Sequence, residues 1–276
     1  MKVATGIWRF SGILFYIIVC LFVVYTKFPR ASREEQGRLI QIHSRKILEI
    51  AGLQYSWEGQ LDEKLRQTGF NTTKGITLVS NHISWIDIFS LNSVIPCRFI
   101  AKADIAHWPF FGLIAKQIGT LFIDRGRRSA IVKINQEITK ALESQQTVAV
   151  FAEGTTTQGN ELLPIRSNLF SPAVSLNTLI QPVIITYSSN DQPTTQMAFS
   201  GDTSLVRSLW NVVTAEKGKV TIHVLEPIDP DGMDRRAIGK LCEERMKEKL
   251  QQIWGNNFKE TDSEATNLLK KVISKK

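Results

Sequence analysis

His82 and Asp87 stand in the run Asn81-His82-Ile83-Ser84-Trp85-Ile86-Asp87. A carboxylate at that distance can hold one ring nitrogen of an imidazole and fix its tautomer. The other nitrogen is left free as a base, and the imidazolium formed on proton uptake is stabilised. This is the orienting half of a triad without its nucleophile. No serine or cysteine stands in a nucleophile-elbow pattern, so no covalent enzyme intermediate is expected. A second reading stays open, because Ser84 and Asp87 also form an S-x-x-D capping pattern. It predicts a helix from Trp85 with Asp87 in its first turn, and by itself reduces the pair to a helix start. Metal ligation is disfavoured: His43, His82, His107 and His223 are dispersed, and the His–Asp step is not zinc spacing.

The elements that position this pair are short apolar runs alternating with helical patterns. Strands are expected at Ile76–Ser80, Arg98–Ala101, Thr120–Asp124, Thr147–Phe151, Leu179–Thr186 and Lys219–Leu225. Arg128–Glu143 repeats apolar residues at helical spacing, and Arg235–Ile253 reads as a charged amphipathic helix. Such alternation predicts an α/β fold with a mixed, largely parallel sheet flanked by helices, whose ligands bind at the carboxyl ends of strands. His82 directly follows the first of these strands. Glu153-Gly154-Thr155 follows another, where glycine permits close backbone approach and the glutamate can accept from a substrate hydroxyl or hold a basic neighbour. Arg125 ends a third and offers a guanidinium for a phosphate, or an ion pair with Asp124.

Ahead of the sheet, Ile13–Tyr25 runs thirteen residues without a polar interruption. As a helix it is about 20 Å long, short of a hydrocarbon core of about 30 Å. Thr26-Lys27-Phe28-Pro29-Arg30 offers no small-x-small cleavage site, so the segment reads as retained. Ser32-Arg33-Glu34-Glu35 signals a second helix, ended by Gly52. A membrane-embedded helix pair is expected, spanning or re-entrant, because positive residues flank the apolar run on both sides and fix no orientation. The organisation expected is then 1–52 membrane-associated helices, 53–254 the α/β domain and 255–276 a polar, lysine-ended tail.

Composition narrows the classes further. At 276 residues, 43% hydrophobic and 22% charged, the chain is neither a disordered tail nor a polytopic membrane protein. The formal net charge is +8, and residues 1–50 hold eight Lys/Arg against three acids. Basic charge beside an apolar run points to an anionic membrane surface, and no nucleic-acid signature is present. Cys20, Cys97 and Cys242 are far apart, which disfavours a disulfide framework and fits a reducing compartment.

The histidine–aspartate run resembles the H-x4-D motif of the glycerolipid acyltransferases, the 1-acylglycerol-3-phosphate (lysophosphatidate) acyltransferase family. Gly119-Thr120-Leu121-Phe122-Ile123-Asp124-Arg125 is similar to its second block, Phe151-Ala152-Glu153-Gly154-Thr155 to its F-P-E-G-T block, and Ile180-Gln181-Pro182-Val183-Ile184-Ile185 to its fourth. The four blocks fall in the family's order, and the resemblance covers roughly residues 70–225. It implies O-acyl transfer from acyl-CoA or acyl carrier protein to a lysolipid hydroxyl, with His82 and Asp87 catalytic. Lys102, Arg125, Glu153, Gly154 and Thr155 are then the substrate-binding residues, with no metal or cofactor. It also implies a bacterial inner-membrane enzyme whose catalytic domain faces the cytoplasm, with the bilayer, the lysolipid and the acyl donor as partners. The expected acceptor is 1-acyl-sn-glycerol-3-phosphate, giving phosphatidic acid. Two departures bear on that: Ala152 stands where the family has proline, and Thr156 where it commonly has arginine. The missing cation leaves Arg125, Lys102 or Arg166 to compensate, or marks a lyso-ornithine lipid as acceptor. A non-catalytic lipid-binding protein and a thioester or lysolipid hydrolase are the competing classes.

Overall fold

The computed structural model describes residues 2–70, 74–124 and 128–261. The described elements in chain order are α1 (Lys2–Thr26), α2 (Arg33–Ala51), β1 (Leu53–Glu58), α3 (Glu63–Thr68), β2 (Thr77–Ser80) and α4 (Asp87–Val94). They continue with β3 (Arg98–Lys102), α5 (Phe111–Gln117), β4 (Leu121–Ile123), α6 (Arg128–Glu143), β5 (Val148–Phe151) and α7 (Ser171–Leu176). The last are β6 (Ile180–Ser189), β7 (Gln192–Pro193), α8 (Leu205–Val213), β8 (Gly218–Val224) and α9 (Arg235–Trp254).

The strands form a sheet in the order β1-β8-β6-β2-β5-β3-β4, with β7 hairpinned onto β6. β2 pairs in parallel with β5 and β6, β3 with β5 and β4, and β1 with β8. Only the β6–β8 and β6–β7 pairings are antiparallel among the described strands. Strands buried on both faces need apolar residues at successive positions, and these have them. On one face Leu78, Ala149, Val183, Ile185 and Ile222 pack in a core that also takes in Leu48, Leu91 and Val213. On the other, Val79, Val150 and Ile184 pack with Ile138, Phe170, Cys242 and Leu250 of α6, α9 and the segment leading into α7. The fold is the mixed, largely parallel α/β sheet flanked by helices that the strand–helix alternation predicts.

The N-terminal helices are part of this packing. Ser32 caps α2 and exchanges hydrogen bonds with Glu35 in a capping box, while Gly52, at φ 77°, closes it in the left-handed region where glycine carries no steric cost. One side of α1 contributes Ile13, Ile17 and Cys20 to the core that holds Leu78 and Ile83. Its start is fastened too: the Arg9 guanidinium donates to the Val213 carbonyl at the end of α8, at 2.9 Å. α2 differs from α1 in character. Its buried side includes Gln41, which donates to the Arg66 and Val94 carbonyls, so α2 is a packing helix of the α/β domain.

β1 is a strand that the sequence reading did not expect. It lies at the sheet edge with Leu53 its one buried residue, so its residues carry little apolar signal. Of the polar tail expected at 255–276, residues 262–276 lie outside the described residues, as does Arg125.

Candidate active site

β2 and β5 are neighbours in register, Ser80 opposite Phe151, so the turns that follow them meet at the carboxyl edge of the sheet. His82 arrives on the first turn and Glu153 on the second. His82 Nδ1 lies 2.7 Å from Asp87 Oδ2. A carboxylate only accepts, so the ring proton sits on Nδ1 and Nε2 is the free base. Nε2 has no hydrogen-bond partner among the described residues, and no serine or cysteine reaches it. The ring is stacked on Phe151, with centroids 3.9 Å apart and planes inclined by 10°. The side chain keeps 22% of its surface exposed, while Asp87 is wholly buried.

Asp87 does more than cap. Its Oδ2 accepts from the backbone N–H of Ile83 at 2.7 Å and of Ser84 at 2.9 Å, and its Oδ1 accepts from the Tyr187 hydroxyl at 2.6 Å. The expected cap is therefore corrected. Helix α4 starts at Asp87 instead of Trp85, its N-cap Ile86 provides no side-chain bond, and the buried Ser84 hydroxyl finds no partner among the described residues. The carboxylate reaches back over the loop to the Ile83 and Ser84 N–H groups, and the Asp87 N–H, the donor a Ser84 cap would have taken, goes to the Ser84 carbonyl at 3.1 Å.

The backbone of His82 is held at both ends by the second turn. Its N–H donates to Glu153 Oε1 at 2.8 Å, and its carbonyl accepts from the Thr157 N–H at 2.8 Å. Glu153 Oε2 accepts from the Leu163 N–H at 2.9 Å. Both carboxyl oxygens are thus spent on backbone donors, and burial pushes the carboxyl up to about 8 against the lowering effect of those donors. Its geometry is that of a clamp between the two segments. Asn81 secures the loop from the other side, its amide donating to the Ile185 carbonyl and accepting from the Ile185 N–H.

The remaining expected residues lie around this centre. Gly154 takes φ 77°, and the Arg166 guanidinium lies where its side chain would be. Thr155 is half-buried in the same turn, and Lys102 is exposed at the end of β3, one strand beyond β5. Thr156 donates its hydroxyl to the Phe199 carbonyl at 2.5 Å. The Arg166 guanidinium has no hydrogen-bond or ion-pair partner among the described residues. Tyr187 is the functional neighbour that sequence reasoning missed. It lies a hundred positions from Asp87 at the end of an apolar strand, and only the β2–β6 pairing brings the two together. Among the described residues no His, Cys, Asp or Glu cluster converges as a bound cation would require.

A histidine–aspartate pair stands at the edge of the parallel sheet, with no serine or cysteine hydrogen-bonded to Nε2 among the described residues. A family model described as Acyltransferase matches residues 60–186. The chain is 34% identical over 184 residues to the lyso-ornithine lipid O-acyltransferase of Pseudomonas aeruginosa, covering 67% of this chain and 71% of the relative. It is 32% identical over 174 residues to the 1-acyl-sn-glycerol-3-phosphate acyltransferase of Neisseria gonorrhoeae, covering 63% and 68%. The crystal structure of the 1-acyl-sn-glycerophosphate (LPA) acyltransferase from Thermotoga maritima superposes with a TM-score of 0.68 over 92% of this chain and 98% of that one, at 20% identity, and so shares the fold. The chain belongs to the lysophospholipid acyltransferase family and is an acyltransferase.

Proposed function

We propose that this enzyme moves an acyl group from a thioester, acyl-CoA or acyl carrier protein, to the free hydroxyl of a lysolipid. The observation that carries the reading is the His82–Asp87 pair with Nε2 unpartnered at the sheet edge. Nε2 takes the hydroxyl proton while Asp87 holds the ring, and the oxygen attacks the thioester carbonyl. The thiolate leaves and recovers the proton from the imidazolium, so no covalent enzyme intermediate and no cofactor enter.

For the acceptor, 1-acyl-sn-glycerol-3-phosphate is supported by the unpartnered Arg166 guanidinium beside Gly154, with Lys102 as a further cation at the end of β3. Lyso-ornithine lipid is the second reading, favoured by Thr156, whose hydroxyl is tied to Phe199 where a headgroup arginine would stand. Labelled donor offered with each acceptor in parallel, with His82→Ala as control, separates them. Transfer to lysophosphatidate that vanishes in the variant supports phosphatidic acid synthesis. Transfer only to the ornithine lipid makes Thr156 the mark of a changed headgroup. Free fatty acid released without acceptor would make the chain a hydrolase, and silence with both lipids favours the non-catalytic class.

The enzyme works at a membrane surface in this reading. The segment Val3–Arg30 is long and apolar enough to cross a bilayer. Yet α1 is packed on the domain along one side while Ile7, Leu14, Phe15, Ile18 and Phe22 stay exposed on the other. Lipid cannot encircle such a helix, so α1 lies in one leaflet with its exposed row in the acyl chains. A groove of about 640 Å³ between α1 and α2 carries Lys27, Arg30 and Arg38, with Glu35 the one acid, over Phe22, Leu39 and Ile42, a net basic lining suited to anionic headgroups. By the same reading that leaflet is the cytoplasmic face of a bacterial inner membrane.

A further inference from the structure

The stretch between β3 and β4 is built against the usual economy of a soluble loop. After Lys102 the chain makes a short turn through Ala103–His107 and reaches Trp108-Pro109-Phe110, which leads into α5. Phe110 sits at φ 61° and ψ −56°, and the Phe111 N–H donates to the Pro109 carbonyl at 2.6 Å. That is a γ-turn of the positive-φ kind, rare and strained for a bulky L residue. The turn aims Phe110 outward: Phe110 is 55% exposed, Leu113 43% and Trp108 41%, while Phe111 and Ile114 pack into the core. Three large apolar side chains in water, one held by a strained backbone, gain nothing from the rest of the chain.

We propose that the segment 103–117 is a second insertion element, placing Trp108, Phe110 and Leu113 in the same leaflet that receives α1. The inference rests on the reading of α1 above. α5 packs directly against α1, which sets the two exposed apolar rows on neighbouring helices. Its polar members are those of a membrane interface: Lys102, His107 and Lys116 are exposed around the aromatic residues, with Asp104 the acid among them. The location serves the reaction. β3 lies beside β5, whose turn carries Glu153 and Gly154, so the element would hold the lysine side of the site mouth against lipid while α1 holds the helical layer.

Vesicles of anionic phosphatidylglycerol with brominated phosphatidylcholine quench tryptophans that enter the acyl region. The expected result is that Trp108→Phe and Trp8→Phe, the latter removing an exposed α1 tryptophan, each lower the quenchable part of the emission. If only Trp8→Phe lowers it, α1 inserts alone and the proposal falls while the reading of α1 stands. If neither does, both fall. As a second measurement, the double variant Phe110→Ser/Leu113→Ser, which alters exposed side chains and leaves Phe111 and Ile114 in place, should weaken vesicle partitioning about tenfold with an unchanged melting temperature. Unchanged partitioning overturns the proposal. So does a lipid-free dimer that dissociates in the double variant while the vesicles fail to quench Trp108, which would assign the patch to a second copy of the chain.

Discussion

The Tyr187 hydroxyl donates to Asp87 Oδ1 over 2.6 Å and leaves Oδ2 to His82 and two backbone N–H groups. This buried carboxylate takes four donors, and its position is set by β6 as much as by its own loop. Tyr187→Phe removes one donor without removing volume. A hydrogen bond to a charged group contributes about 1.5–3 kcal/mol, so a stability loss of about 2 kcal/mol is expected. The turnover number should fall about tenfold with KM little changed, because the imidazole is held less firmly and no substrate contact is lost. Steady-state kinetics with a denaturant titration checks both; an unchanged turnover number would remove Tyr187 from the site.

His82→Ala should cost at least the roughly 10²–10⁴-fold associated with general-base catalysis, without loss of fold. The backbone bonds of His82 to Glu153 and Thr157 do not depend on its ring, so the loop should persist. Near-full transfer by this variant, measured with labelled donor, would end the proposed mechanism.

Glu153 gives stability a pH dependence with a definite sign. Its folded carboxyl, raised to about 8 by burial, binds a proton that the unfolded chain has lost above about 4.5. Between those values the folded state holds more protons, so stability falls as pH rises, by up to about 1.4 kcal/mol per pH unit from this group. Denaturation midpoints across pH 5–8 should show the decline in the native enzyme and a flatter profile in Glu153→Gln. An identical slope in the two would mean that other groups set it.

Thr156→Arg tests headgroup choice. It removes the bond to the Phe199 carbonyl and restores a cation beside Gly154. The ratio of kcat/KM for lysophosphatidate over lyso-ornithine lipid should rise about tenfold or more, since a good charge-assisted pair is worth well over 1 kcal/mol. A ratio that does not move would place headgroup recognition elsewhere.

Gly37 faces the carbonyl of Thr68 at the contact between α2 and α3, where a Cβ would collide with backbone. Gly37→Ala should therefore destabilise by about 1–3 kcal/mol, although alanine is the better helix former. A thermal melt decides: a raised melting temperature would mean that α3 yields easily.

Much of this was legible in the residues themselves. The strands β2, β5 and β6 announce themselves as short apolar runs because they are buried on both faces. The capping box of Ser32 and Glu35 and the stop at Gly52 are local chemistry, fixed by neighbouring residues. What was not legible depends on contacts distant in sequence. β1 exposes most of its residues, so its pairing with β8 leaves no pattern. Ser84 was misread because the Asp87 N–H that its hydroxyl would have capped is taken by the Ser84 carbonyl instead, a turn geometry that only the fold sets. The backbone partners of Glu153, the His82 and Leu163 N–H groups, were not legible because they come from segments distant in sequence. Tyr187 is one apolar-run residue among many until β6 lies beside β2.

The inner side of α1 shares its core with Leu78 and Ile83, the residues that bracket the turn to His82. No tether separates the helix from the sheet, so the span from its outer row to His82 Nε2 is set by packing alone. The enzyme behaves as a depth gauge. With α1 in the leaflet as proposed, it would sample hydroxyls at one height above that surface, and a lysolipid would be sorted first by how far along its length the free hydroxyl lies.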